Sequence, residues 1–228
     1  MKNFDVSAYL VIGAENTTRP VEEVVALAVR AGFTFVQIRS KTSTAREIIL
    51  TLKKCADVIA GLGKSETVAL VVNDRLDIAL AAREASIKVD GVHVGQGDIP
   101  PEVCKKYLGE NSIVGLSART ENLLEYVKNA NIRAVDYFGA GPLHETATKP
   151  DCGKNSSGVV ITRDFDELTE LAKISAIPVV VGGGVRVSDI PALAATGVAG
   201  FFVVSAVAGA ENPYTAALEL VKAWHICK

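Results

Sequence analysis

The chain has 228 residues, with 24 lysines and arginines against 26 aspartates and glutamates and a formal net charge of −2. Hydrophobic residues make up 49% of the chain and charged residues 22%, a composition that excludes a disordered or fibrous protein. The balanced charge gives no global electrostatic reason to bind nucleic acid. Any anionic ligand must therefore meet a local group of cations.

Cysteine usage and hydropathy predict a cytoplasmic protein without a membrane contact. Four cysteines lie far apart and form no C-x-x-C pair: Cys55, Cys104, Cys152 and Cys227. They indicate reduced thiols rather than a disulfide framework or a zinc site. The uncharged stretch 190–210 is long enough for a membrane span, but Pro191 and three glycines interrupt it. A helix, a turn and a strand explain it better.

Apolar runs typical of strands buried on both faces alternate along the chain with segments of helical period. Strands are predicted at 8–12, 34–38, 68–72, 91–94, 113–116, 135–139, 178–181 and 201–204. The helices that follow them are predicted at 21–31, 44–60, 75–82, 101–108, 122–129, 165–175, 188–195 and 213–224. Start signals are the capping box Thr44-x-x-Glu47, an N-cap at Ser188, and Asn212 before Pro213.

Eight strand-then-helix units in a chain of 228 residues favour a (β/α)₈ TIM barrel over the alternative, an open doubly wound sheet. No linker divides the sequence, so residues 1–228 are predicted to form a single domain. In this barrel the chemistry lies at the carboxyl ends of the strands. Polar residues follow those ends, whereas segments that enter strands, such as Ala31-Gly32, are small and chemically unremarkable. This asymmetry predicts a site at the carboxyl ends.

Asp74 and Asp98 end consecutive predicted strands. Neighbouring strands lie about 4.8 Å apart, so both carboxylates could reach one ion. Two carboxylates that leave other positions open suit Mg²⁺, which keeps waters and also binds phosphate oxygens. Taken singly, Asp74 could instead be a helix N-cap and Asp98 a turn residue before Pro100. As a pair at adjacent strand ends, they favour a metal site.

Cations and glycines follow other strand ends. Arg39, Lys41 and Lys149 could converge on one anion, and a guanidinium fork beside mobile ammonium groups suits a diphosphate. The run Gly182-Gly183-Gly184, followed by a helix and then Ser205 at the end of the last strand, resembles the phosphate site formed after strands seven and eight of such barrels. A tight turn is the alternative.

Two other features resemble ligand-binding motifs but are better explained without a ligand. Gly63-Lys64-Ser65 looks like the tail of a P-loop, but Val58 occupies the place of its first glycine and a helix precedes it. His93 lies inside an apolar strand, which favours a hydrogen-bonded core residue over a ligand.

Across nearly its whole length, the chain resembles thiamine-phosphate synthases. The stretches that carry the resemblance follow one another in order: Gln37-Ile38-Arg39-Ser40-Lys41, Val72-Asn73-Asp74, Asp90-Gly91-Val92-His93-Val94-Gly95-Gln96-Gly97-Asp98, Gly115-Leu116-Ser117, Asp136-Tyr137-Phe138-Gly139-Ala140-Gly141-Pro142, Thr146-Ala147-Thr148-Lys149, the glycine run ending at Gly184, and Val204-Ser205-Ala206.

The resemblance implies a (β/α)₈ enzyme that joins hydroxymethylpyrimidine diphosphate to phosphorylated hydroxyethylthiazole and releases pyrophosphate. It implies Mg²⁺ as cofactor, held by Asp74 and Asp98. It implies that the pyrimidine diphosphate is contacted by Gln37, Arg39, Lys41, Asn73, Ser117 and Lys149. It implies that the thiazole phosphate is contacted by Thr146, Thr148, Gly184, Val204 and Ser205. The bond between pyrimidine and oxygen would break early, so the expected catalytic residues are those that stabilise the leaving group: Arg39, Lys41, Ser117 and Lys149.

The sequence departs from the family pattern at five places, two of which are Gly97, where the family often has Glu, and His144, which replaces an aromatic residue before Thr146. Ser40 stands between the arginine and the lysine where the family has an acidic residue, the first strand ends in Gly13-Ala14, and the stretch 150–158 is longer than usual. Two alternatives stay open, a thiazole tautomerase of the same barrel type and a barrel that binds phosphorylated ligands without turnover. The two phosphorylated substrates are the expected partners, and a homo-oligomer is left open.

Overall fold

The computed structural model describes residues 3–146, 153–155 and 157–228. Within them, eight parallel strands pair in sequence order and close into a barrel, with β1 beside β8. The strands are β1 (Ala8–Ile12), β2 (Phe35–Ile38), β3 (Ala69–Asn73), β4 (Gly91–Val94), β5 (Ile113–Ser117), β6 (Tyr137–Ala140), β7 (Val179–Gly182) and β8 (Gly200–Val203). This closure confirms the predicted TIM barrel and excludes the open sheet.

Helices follow the strands around the barrel. They are α1 (Val21–Ala31), α2 (Ala45–Gly61), α3 (Leu76–Glu84), α4 (Pro101–Leu108), α5 (Leu123–Asn129), α6 (Phe165–Ile174), α7 (Ile190–Ala195), α8 (Ser205–Ala208) and α9 (Pro213–Ile226). Sequence patterns predicted all but α8, which is one turn and too short to show a period. In the described part of the chain, no helix is both long and apolar enough to cross a membrane.

Alternation along each strand separates two apolar layers. Tyr9 and Val11 of β1 belong to a small cluster inside the barrel, together with Phe35, Val71 and Val180. The residues between them on the strands belong to a larger cluster that the surrounding helices cover. Because both faces are buried, the strands read as continuous apolar runs, and a polar residue in one of them points to a special environment.

Helix start signals were right at two places and wrong at one. Glu47 N–H donates to Thr44 Oγ1 (3.3 Å) while Thr44 N–H donates to Glu47 Oε2 (2.7 Å), which confirms the capping box. The Asn212 side chain caps α9 by accepting a backbone N–H. Ser188 is not an N-cap, because it lies inside the 3₁₀ turn Val187–Asp189 and α7 begins after that turn.

Buried charges tie the amino ends of the strands together, where the sequence patterns indicated little chemistry. Asp136 precedes β6 and accepts the Val114 N–H of β5 at 2.6 Å. The Lys105 ammonium lies 2.8 Å from the same carboxylate and donates to Ser112 O at 2.6 Å. Asp90 accepts the backbone N–H at position 70 of β3 in the same way. These contacts hold the strand starts rather than a ligand.

Candidate active site at the carboxyl ends of the strands

A cavity opens at the carboxyl ends of the strands, inside the ring that they form. Among the residues predicted for the site, it is lined by Gln37, Arg39, Asn73, Ser117, Thr146, Gly184, Val204 and Ser205. The groups predicted for two different substrates therefore share one cavity. Thr148 and Lys149 lie outside the described residues, so their place in the site stays a prediction.

Asp74 and Asp98 lie together on the rim, next to the cavity lining. Asp74 directly follows β3 and takes a left-handed backbone conformation (φ 60°), which Asp tolerates better than most residues. Its N–H donates to His93 O of β4 at 2.8 Å and so continues the strand pairing by one step. The N-cap alternative for Asp74 is wrong, because Arg75 holds that position before α3.

The two carboxyl groups are close enough to share a hydrogen bond. Burial and the neighbouring Asp74 carboxylate raise the pKa of Asp98 above its usual range. Burial also acts to raise the pKa of Asp74, but hydrogen bonds from Lys41 and Asp98 hold that pKa below its usual value. Asp98 Oδ2 further accepts the Gly95 N–H at 2.8 Å. Two acidic groups are thus held side by side against their mutual repulsion.

The ammonium group of Lys41 contacts one of these two carboxylates. Lys41 Nζ lies 2.6 Å from Asp74 Oδ2, with the lysine side chain 57% exposed. Because the lysine side of this pair is exposed to water, Lys41 can exchange Asp74 for another anion. The described residues contain no cluster of three or more His, Cys, Asp or Glu side chains able to enclose a metal. A two-carboxylate site fits a hard cation that keeps open positions for water or phosphate oxygen.

The atypical end of the first strand supports the segment that carries the cations. Arg39 N–H donates to Ile12 O at 2.8 Å, which extends the pairing of β1 and β2 by one residue past the end of β2. A Cβ at Gly13 would lie 1.9 Å from Arg39 O, so only glycine allows this approach. Glu15 Oε1 accepts the Lys41 N–H at 2.8 Å. Gly13 and Glu15 thus position the backbone of both cations.

On the β4–β5 side, Ser117 is held by two neighbours. Its Oγ lies 3.0 Å from His93 Nε2, and its backbone oxygen accepts from Gln96 Nε2 at 2.7 Å. The Arg119 guanidinium lies over the Tyr126 ring, 5.4 Å from its centroid. The prediction that His93 is a buried, hydrogen-bonded residue is confirmed, and its partner is a predicted site residue.

Glycines shape the opposite side of the cavity, at the ends of β7 and β8. Gly183 and Gly184 take positive φ angles of 85° and 72°. A Cβ at Gly184 would lie 2.8 Å from the Cβ of His144, whose Nε2 is 2.9 Å from Asp189 Oδ2. The tight-turn alternative is therefore part of the structure, and the backbone it exposes still faces the cavity.

Sequence patterns missed Tyr9 and Tyr137 as members of the site. Tyr9 lines the floor of the cavity, and its hydroxyl lies 2.9 Å from that of Tyr137. Gln37, the polar residue inside the apolar strand β2, donates from Nε2 to the Tyr9 hydroxyl at 2.5 Å. Gln37, a polar residue at an inward position of an apolar strand, was the sequence signal that could have indicated buried polar partners.

The fold and the cavity define an enzyme of the TIM-barrel class whose site lies at the carboxyl ends of its strands. A family model described as thiamine monophosphate synthase matches residues 8–207. The chain therefore belongs to the thiamine monophosphate synthase family, and it is a transferase of thiamine biosynthesis.

Individual thiamine-phosphate synthases are similar to this chain over almost its full length. The chain is 39% identical over 217 residues to a thiamine-phosphate synthase of Corynebacterium efficiens, covering 95% of this chain and 94% of that one. It is 36% identical over 209 residues to the Vibrio parahaemolyticus thiamine-phosphate synthase, covering 92% and 93%. A solved structure, thiamine phosphate pyrophosphorylase from Pyrococcus furiosus, superposes with a TM-score of 0.79 at 29% identity, covering 97% and 96%.

Proposed function

We propose that the enzyme condenses hydroxymethylpyrimidine diphosphate with phosphorylated hydroxyethylthiazole, in a Mg²⁺-dependent reaction that yields thiamine phosphate and pyrophosphate. One observation carries this proposal. Arg39 and the cluster of Lys41, Asp74 and Asp98 stand at β2–β4, and the glycine turn at Gly184 stands at β7, across the same barrel mouth. Two separate sites for phosphorylated groups suit two phosphorylated substrates.

The β2–β4 side suits the diphosphate. Arg39 can offer a bidentate fork and Lys41 a mobile ammonium, which is the combination that a diphosphate needs. Asp74 and Asp98 would hold Mg²⁺, because their carboxylates adjoin and two oxygen ligands leave the other positions of the ion open for water and phosphate oxygens. Bound there, the ion would supply positive charge to the oxygens of the leaving pyrophosphate.

The residues around the pyrimidine would act on charge and position rather than as nucleophiles. As the bond between pyrimidine and oxygen breaks, Arg39, Lys41 and Lys149 would stabilise the negative charge on the departing diphosphate. Ser117 would donate a hydrogen bond to the same group, while Gln37 and Asn73 orient the substrate. The thiazole nitrogen would then attack the pyrimidine methylene cation inside the barrel, where water is kept from competing.

The β7–β8 side suits the thiazole phosphate, for which we propose Thr146, Thr148, Gly184, Val204 and Ser205 as ligands. Exposed backbone N–H groups of a glycine turn can approach phosphate closely.

Gly184→Ala is expected to raise KM for the thiazole phosphate about tenfold, since a Cβ there meets His144 in a left-handed backbone conformation that costs about 1–2 kcal/mol. KM for the pyrimidine diphosphate should stay within about twofold. Gly63→Ala is the matched control, because Gly63 also has a positive φ (67°) but nothing lies within 4 Å of its Cβ position. Equal KM changes for both substrates would contradict the assignment, and steady-state kinetics with each substrate varied separately decide it.

The proposed reaction is tested with the purified protein and both substrates. Thiamine phosphate and pyrophosphate should form in equal amounts, only when both substrates and Mg²⁺ are present. A yield that does not depend on Mg²⁺ would remove the role assigned to the metal. Isomerisation of the thiazole phosphate without a new carbon–nitrogen bond would instead identify a tautomerase. Binding of both ligands without turnover would identify a non-catalytic barrel.

A cytoplasmic location and a homo-oligomer stay predictions, which fractionation and light scattering can check.

A further inference from the structure

A continuous line of hydrogen bonds crosses the barrel interior beneath the cavity. It begins at Gln37 Nε2, 2.5 Å from the Tyr9 hydroxyl, which lies 2.9 Å from the Tyr137 hydroxyl. The Tyr137 hydroxyl lies 2.9 Å from His93 Nδ1, and His93 Nε2 lies 3.0 Å from Ser117 Oγ. The line thus joins two residues proposed to contact the pyrimidine diphosphate on opposite sides of the cavity.

The barrel interior is built around this line. Gln37, Tyr9 and Tyr137 are almost completely buried, with 3%, 1% and 0% of their surface exposed. Gly115 stands between His93 and Tyr137 in strand register, and a Cβ there would lie 2.2 Å from the Tyr137 ring and 2.5 Å from His93 Nδ1. Burial raises the pKa of both tyrosines, so each hydroxyl keeps the proton that it needs to donate.

The direction of the line follows from the Gln37 amide, which is placed with its nitrogen, a group that can only donate, against the Tyr9 hydroxyl. The Gln37 amide nitrogen donates to the Tyr9 hydroxyl, which passes its own proton on to the Tyr137 hydroxyl. The Tyr137 hydroxyl then donates to His93 Nδ1, which must be bare to accept. A neutral imidazole with a bare Nδ1 carries its proton on Nε2, and that proton points to Ser117 Oγ. Ser117 accepts from His93, and its own proton is left to turn elsewhere.

We propose that Tyr9, Tyr137 and His93 are positioning residues, which transmit the orientation of the Gln37 amide to Ser117 and turn the Ser117 hydroxyl proton towards the cavity. The effect on catalysis rests on the proposed function, whereas the tautomer of His93 does not. In the opposite direction, Ser117 would donate to His93 and present only lone pairs to an anionic substrate. The line therefore decides whether Ser117 stabilises or repels the negative charge that develops on the leaving group.

The tautomer is measured by ¹⁵N NMR of the whole protein labelled at its three histidines, at about pH 9, where an ordinary imidazole is neutral. His144→Asn and His225→Asn each remove one ring and so assign the His93 signals. The wild-type protein should show a protonated Nε2 and a bare Nδ1. Gln37→Glu should exchange the two ¹⁵N shifts, because a carboxylate can only accept from Tyr9 and reverses every donor. A wild-type His93 with its proton on Nδ1, or equal shifts in wild type and Gln37→Glu, would overturn the proposal.

Two further variants separate transmission from simple packing. Tyr137→Phe removes the donor to Nδ1, so His93 should lose its single tautomer. The kcat should then fall about tenfold to a hundredfold, because Ser117 no longer donates a hydrogen bond to the charged leaving group in every molecule. KM for the pyrimidine diphosphate should change less than kcat. Tyr126→Phe, which removes a hydroxyl from the same rim outside the line, should leave the His93 tautomer unchanged.

The two proposals fail in different ways. If the wild-type protein makes no thiamine phosphate, the proposed function is wrong while the NMR result still decides the tautomer. If the enzyme is active but Nε2 is bare, only the hydrogen-bond line is wrong.

Discussion

Asp98→Ala is expected to lower kcat/KM about 100- to 1000-fold while the barrel stays folded, because the variant loses a ligand of the proposed Mg²⁺, whose charge would stabilise the departing pyrophosphate. Asp98 and Asp74 adjoin at the ends of neighbouring strands, and repulsion from Asp74 helps to raise the pKa of Asp98. Without Asp98, a single carboxylate remains, and Lys41 already occupies it at 2.6 Å. Turnover across a Mg²⁺ titration and isothermal calorimetry with Mg²⁺ alone measure the effect.

Asp57→Ala is the matched control for this variant. Asp57 is an exposed carboxylate on the outer face of α2, ion-paired with Lys53 at 2.6 Å, far from the strand ends. Both variants remove a surface carboxylate, so both should change stability by only about 0.5 kcal/mol. Only Asp98→Ala should weaken Mg²⁺ binding. Near-normal turnover by Asp98→Ala would show that the carboxylate pair is not needed for the reaction.

The strands could be predicted to within two residues because burial on both faces gives each of them an apolar run. The same runs predicted which polar residues would meet, because parallel strands that close in sequence order bring Asp74 and Asp98 to adjacent ends. The helix α8 could not be found in this way, since one turn has no period. Ser188 failed as an N-cap because the chain inserts a 3₁₀ turn before α7.

The interior of the site depends on register, which local patterns do not contain. Tyr9 and Tyr137 are 128 residues apart and meet only because both strands point them inward at the same level. Gly13 departs from the family pattern at the end of the first strand, yet it allows the backbone approach that supports Arg39. Such contacts between distant residues need the closed barrel before they can be recognised.

The two ends of the barrel carry different tasks, and this difference can be measured. The carboxyl ends hold polar groups at some cost in repulsion, as the raised pKa of Asp98 indicates. The amino ends hold buried charges whose partners are strand backbone and one another, such as Lys105 and Asp136. Substitutions at the carboxyl ends should therefore affect turnover with little effect on folding. Substitutions at the amino ends should do the reverse.

Lys105→Met is expected to destabilise the enzyme by about 3 kcal/mol, because it leaves the buried Asp136 carboxylate without its counter-charge. The ammonium and the carboxylate are 9% and 11% exposed, so water cannot replace the lost partner. For a chain of this size, the change corresponds to a fall in Tm of roughly 6–12 °C. Thermal and urea unfolding measure the loss, and kcat of the remaining folded enzyme should stay within about twofold, because Lys105 lies at the end of the barrel opposite the cavity.

Two companion variants identify the unpaired charge as the cause. Lys106→Met changes the neighbouring exposed lysine and should shift stability by only about 0.5 kcal/mol. Adding Asp136→Asn to Lys105→Met should recover part of the loss, because asparagine removes the stranded charge and can still accept the Val114 N–H. If the double variant were less stable than Lys105→Met, lost hydrogen bonds and packing, rather than the uncompensated charge, would be the source of the instability.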